Sequence, residues 1–118
     1  MQVPLQITFR QMETSPALEA RIRQRAGELE QYCDRITACH VTVEAQHKRR
    51  HHQGNLFQVS IDLVVPGQEI AASSGRDLDH AHEDAHVAVR DAFDALRRRL
   101  EDHMRTARVA KGVHREGR

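Results

Sequence analysis

The chain has 118 residues, with 18 Lys/Arg, 17 Asp/Glu and 9 His, which suffices for a single modest core without staples. Its net charge of +1 leaves no gross polyelectrolyte character; no run approaches the ~20 apolar residues that cross a bilayer, and Met1–Arg10 does not resemble a signal peptide. Phe9, Tyr32, Phe57 and Phe93 are the full aromatic set, which argues against an RNA-binding sheet whose affinity comes from stacking bases on exposed rings.

In chain order, the stretch VPLQITFR (Val3–Arg10) alternates Val3, Leu5, Ile7 and Phe9 with polar residues, a period of two that predicts a half-buried strand. Pro4 lies near its start, where a missing amide is tolerated. The period then lengthens. Ser15 is a good N-cap, Pro16 suits the first helical position, and Leu18, Ile22, Ala26, Leu29 and Cys33 share one stripe of a helix. Arg21, Arg23 and Arg25 project elsewhere.

Alternation returns at Cys39, Val41, Val43 and Ala45, and again at Phe57, Val59, Ile61, Leu63 and Val65. Pro66-Gly67 marks a tight turn, and QEIAASS follows as a short fourth strand. A long helix is expected from about Asp79 or Glu83 to about Arg105. The order β-α-β-β-β-α predicts an α+β domain over residues 1–106. A right-handed crossover makes the first two strands parallel, and two hairpins complete a four-stranded mixed sheet. Both helices then cover one apolar face, a layout like that of double-stranded-RNA-binding domains. Residues 107–118 lack apolar periodicity and are expected to form a basic, flexible tail. The separate thiols Cys33 and Cys39 form no CxxC pair and are expected to be reduced and half-buried, as suits a cytoplasmic protein.

The charge is unevenly spread. Residues 56–95 carry a net −6 and residues 96–118 a net +5, while Lys48, Arg49 and Arg50 lie among three histidines in a segment without acids. Such asymmetry speaks of partners rather than of fold. Arg90 and Arg97 fall along one flank of the second helix, and Arg98 and Arg105 point nearly opposite its apolar stripe. The pairs Arg90–Asp94, Arg97–Glu101 and Arg98–Asp102 are available and individually weak. Two helices side by side on a sheet would add Arg21 and Arg25 to one phosphate-binding surface, with Lys48 and Arg49 as outlying contacts.

The segment GRDLDHAHEDAH (Gly75–His86) contains a literal HExxH, with His82 and His86 one helical turn apart and Glu83 in the general-base position. The metal reading would make the chain a small metalloenzyme or metal sensor. The alternative, an acidic helix start whose carboxylates favour the positive end of the dipole, accounts for more of the segment, and no cofactor is expected. No Ser-His-Asp set, Gly-rich phosphate loop or carboxylate pair points to an enzyme or to a small-molecule substrate.

The stretches METSPALEARIRQRAGELEQYCDRI (Met12–Ile36) and EDAHVAVRDAFDALRRRLEDH (Glu83–His103) resemble the ribosome hibernation promoting factors and ribosome-associated inhibitors, also called sigma-54 modulation proteins. The similarity covers roughly residues 3–105 and is closest to the short form. It implies a non-enzymatic cytoplasmic protein that occupies the decoding region of the small ribosomal subunit, contacts ribosomal RNA and silences translation in stationary phase. Arg98 matches one of the family's basic positions on the last helix. Ala95 and Asp102 stand where lysine is frequent, with Arg90, Arg97, Arg99 and Arg105 on adjacent turns.

Overall fold

A computed structural model describes residues 4–33, 35–47, 55–74 and 84–116, with side chains left out at 47, 55 and 107–116. Its elements are β1 (Leu5–Arg10), α1 (Pro16–Leu29), β2 (Ala38–His47), β3 (Asn55–Val65), β4 (Gln68–Ser74) and α2 (Ala85–Glu116). They form the expected β-α-β-β-β-α order around one four-stranded sheet, β1-β2-β3-β4. β1 and β2 are parallel and the other two pairings antiparallel.

Register follows from the alternation. Leu5, Cys39, Leu63 and Ile70 stand in one row across the sheet, and Ile7, Val41, Ile61 and Ala72 in the next. These rows meet Leu18, Ile22, Ala26 and Leu29 of α1 and Val89, Ala92, Phe93, Leu96 and Leu100 of α2 in a single core. A one-residue slip of any strand would turn its apolar set out to water, so burial specifies the pairing. Each fully buried aliphatic side chain here contributes about 1.5–3 kcal/mol relative to exposure. At the β3–β4 turn, Gly67 has φ +79°, which pairs with Pro66 in a type II turn and calls for a residue without a Cβ.

The opposite face of the sheet is polar. Thr8, Thr42, Ser60 and Ser73 form one row of hydroxyls across all four strands, and Thr8 Oγ1 hydrogen-bonds His40 Nε2 at 3.0 Å. Of the charged groups there, Arg10 stands against Glu44, Asp62 and Glu69.

The helix ends differ from those the periodicity predicts. Ser15 caps α1 as expected, its hydroxyl accepting from the Leu18 amide at 3.3 Å. The helix closes at Leu29, however, and Cys33 is buried from the turn that follows, its amide donating to the Leu29 carbonyl at 3.1 Å. α2 begins at Ala85, later than Asp79 or Glu83, because Asp84 serves as its cap: the carboxylate accepts from the His86 amide at 2.9 Å. α2 also continues to Glu116, beyond the Arg105 suggested by the apolar stripe. Residues 106–116 contain no proline to break the helix, so its backbone hydrogen bonding continues past the last apolar position that the periodicity marks. The two cysteines are free and fully rather than half buried.

Candidate nucleic-acid interface

Burial of one stripe decides where the remaining side chains of each helix go. On α1, taking 100° per residue, Arg21 and Arg25 lie on one flank of the Leu18–Ile22–Ala26–Leu29 stripe and Arg23 on the other. On α2, Arg90 and Arg97 flank the stripe on the Phe93 side, whereas Arg99 lies on the opposite flank. The structure brings the first two flanks together: Arg25 and Tyr32 from the α1 end meet Phe93, Asp94 and Arg97 of α2 around one cleft. Arg98 and Arg105 project from the outer surface of α2 and are exposed.

The local electrostatics sort these arginines. Arg25 Nη1 lies 3.7 Å from Glu28 Oε1, and its Nε is buried without a hydrogen-bond partner. Arg90 Nη2 pairs with Asp91 Oδ1 at 3.1 Å and Arg105 Nη2 with Asp102 Oδ1 at 3.0 Å. These contacts stand in place of the anticipated Arg90–Asp94, Arg97–Glu101 and Arg98–Asp102 pairs. The Arg90–Asp91 and Arg105–Asp102 pairs are solvent-accessible and contribute about 0–1 kcal/mol each, whereas Arg25 is half-buried. The Arg97 guanidinium instead lies over the Tyr32 ring, 5.9 Å from its centroid. Arg21 and Arg98 have no ion pair among the described residues and present free guanidinium groups.

Arg99 behaves differently. Its guanidinium donates to the Ala71 carbonyl on the outer side of β4, so it fastens α2 to the edge of the sheet instead of joining the other arginines. On the same side the Ser74 hydroxyl donates to the Ala88 carbonyl. Sequence reasoning grouped Arg99 with the adjacent arginines because it could not see which strand lies beneath.

Lys48, Arg49, His82 and Glu83 lie outside the described residues. His86 is exposed at the start of α2, and no group of three His, Cys, Asp or Glu side chains among the described residues is arranged to hold a metal ion. Among those residues no helix is long and apolar enough to cross a membrane. A residue that sequence reasoning did not single out is Tyr32, the one exposed large hydrophobic side chain among those described, at 40% exposure. Its only local signal is its place just past the helix end.

Comparison with known proteins bears on the family and the fold. Residues 5–108 match the family described as "Sigma 54 modulation protein / S30EA ribosomal protein". A "Ribosome hibernation promotion factor" of Deinococcus radiodurans is 28% identical over 95 residues, covering 80% of this chain and 46% of that protein, so the chain spans about half of this relative's length. A "Ribosome hibernation promoting factor" of Acinetobacter guillouiae is 27% identical over 104 residues, covering 84% of this chain and 87% of that protein.

Two solved structures share the fold. A ribosomal subunit interface protein from Coxiella burnetii superposes with a TM-score of 0.62 at 19% identity, covering 91% of this chain and 99% of that one. The N-terminal domain of Protein Y from Thermus thermophilus does so with a TM-score of 0.62 at 16% identity, covering 87% and 99%. With its strand order, its helix-borne arginines and a family match over nearly its whole length, the chain belongs to the sigma 54 modulation protein / S30EA ribosomal protein family.

Proposed function

We propose that this protein is a ribosome hibernation factor that binds the small ribosomal subunit. In this reading it occupies the decoding region, where mRNA and tRNA would sit, and silences translation as growth stops. It acts by binding, not by catalysis. The contacts are phosphates of ribosomal RNA, met by Arg21 and Arg25 of α1 and by Arg90, Arg97, Arg98 and Arg105 of α2. Lys48 and Arg49 are proposed as outlying contacts from the β2–β3 connection.

The observation that carries the reading is the concentration of guanidinium groups on the helical layer of a chain in this family. Among the described residues the polar face of the sheet sets Arg10 against three acids, a balance that repels a polyanion. Ribosome hibernation names two of the relatives, and both resemble this chain over four-fifths of its length or more.

The test is equilibrium binding to purified small subunits across a salt series, together with co-sedimentation from stationary-phase extracts. Each phosphate contact steepens the dependence of log K on log salt by roughly 0.7–0.9. Arg21→Ala and Arg98→Ala are each expected to weaken binding and lower that slope by about one unit. Wild-type affinity and slope in both variants would remove these residues from the interface. Failure of the wild-type protein to sediment with small subunits would overturn the reading itself.

A further inference from the structure

We infer that the cleft between the end of α1 and the middle of α2 is a seat for a single unstacked guanine base. The inference rests on the reading of the helical layer as a nucleic-acid surface and names what one part of that surface recognises. The cleft has a volume of about 250 Å³ and is lined by Arg25, Glu28, Tyr32, Phe93, Asp94 and Arg97. Sites for drug-sized ligands run from about 300 Å³ upward, so this one suits a single heterocycle.

Its chemistry is unlike that of the surrounding surface. Two guanidinium groups are balanced by two carboxylates, so a phosphate met by Arg25 or Arg97 sits at the mouth of the cleft, and what lies inside it faces the carboxylates as well. They favour N–H donors. Tyr32 is a partly exposed ring with the Arg97 guanidinium over it at 5.9 Å, so an entering base stacks on the guanidinium plane or takes its place on the ring.

Guanine is the base that answers all of these groups together. Its N1–H and N2–H₂ stand side by side and match the two oxygens of one carboxylate, while O6 and N7 accept from a guanidinium. Adenine and cytosine place a ring acceptor beside their amino group, which faces a carboxylate unfavourably. Uracil has one N–H between two carbonyls. Asp94 is the carboxylate assigned to the guanine edge, since Glu28 already lies 3.7 Å from Arg25.

The guanine can come from RNA or from a free nucleotide, and the test separates the two. Binding of the full chain to fluorescent seven-nucleotide uridine RNAs carrying a central G, A or U is measured by anisotropy, with guanosine monophosphate as competitor. The central-G RNA is expected to bind about tenfold more tightly than the other two. Tyr32→Ala should cost about tenfold, within the range for one stacked base, while Tyr32→Phe retains binding. Asp94→Asn should reduce the central-G RNA to the affinity of the central-A RNA.

Competition by guanosine monophosphate at concentrations near those of the RNA assigns the seat to free nucleotide. Competition only at large excess assigns it to an RNA base. Equal affinity for all three RNAs without competition overturns the inference, as does G preference that survives Asp94→Asn. Loss of small-subunit binding with G preference intact would instead overturn the ribosomal reading alone.

Discussion

Cys39 shares its row of the core with Leu5 and Leu63 and is 1% exposed. Burial first, and the Asp62 carboxylate second, push its thiol from 9.0 up to about 12. In the unfolded chain the thiol ionises near its ordinary value, so above pH ~9 the unfolded state holds fewer protons than the folded one. Folding stability contributed by the neutral thiol is therefore complete well below pH 9 and declines as pH rises toward about 12. Urea unfolding at pH 8, 9 and 10 is expected to show the wild type losing about 1 kcal/mol relative to Cys39→Ala between pH 9 and 10, and only about 0.3 kcal/mol between pH 8 and 9. Cys33 and Tyr32 are present in both proteins and cancel in the difference. Parallel profiles would mean that the thiol ionises as readily in the fold as out of it.

At the scale of elements, β4 is an edge strand whose outer carbonyls need cover, and α2 provides part of it through Arg99. Arg99→Ala is therefore expected to lower unfolding stability by about 1 kcal/mol while leaving small-subunit affinity and its salt slope unchanged. A loss of salt slope in this variant would return Arg99 to the binding surface. The strands that position this contact were legible in the sequence because alternation such as Val41, Val43 and Ala45 against Thr42 and Glu44 has one period and one meaning. The α1 cap was legible for the same kind of reason, since Ser15-Pro16 acts within a single turn. What lay beyond reading is nonlocal. Arg97 and Tyr32 are 65 positions apart and meet only because both helices pack on one sheet face, and Arg99 finds Ala71 across 28. The end of α2 was missed because the signal used was apolar periodicity, which fades near Arg105, whereas a stretch without proline lets the helix continue.

At the scale of the whole molecule, charge and core divide along different lines. Among the described side chains Met104 is the last one packed against the core, and Arg108, Lys111, Arg115 and Arg118 follow with Glu116 as the only acid among them. We propose residues 1–106 as the ribosome-binding unit and the remainder as an electrostatic supplement. If that division holds, a chain ending at Thr106 keeps its unfolding free energy within about 0.5 kcal/mol of the full protein, because it retains every described core side chain. Its affinity for small subunits falls, and its salt slope drops by roughly 0.7–0.9 for each of those cations that met a phosphate. Arg98→Ala placed in the shortened chain should lower the slope by a further unit, since independent phosphate contacts add. A destabilisation of several kcal/mol on truncation would show that α2 beyond Thr106 belongs to the folding unit. An unchanged slope would confine the interface to the two helices as far as Arg105.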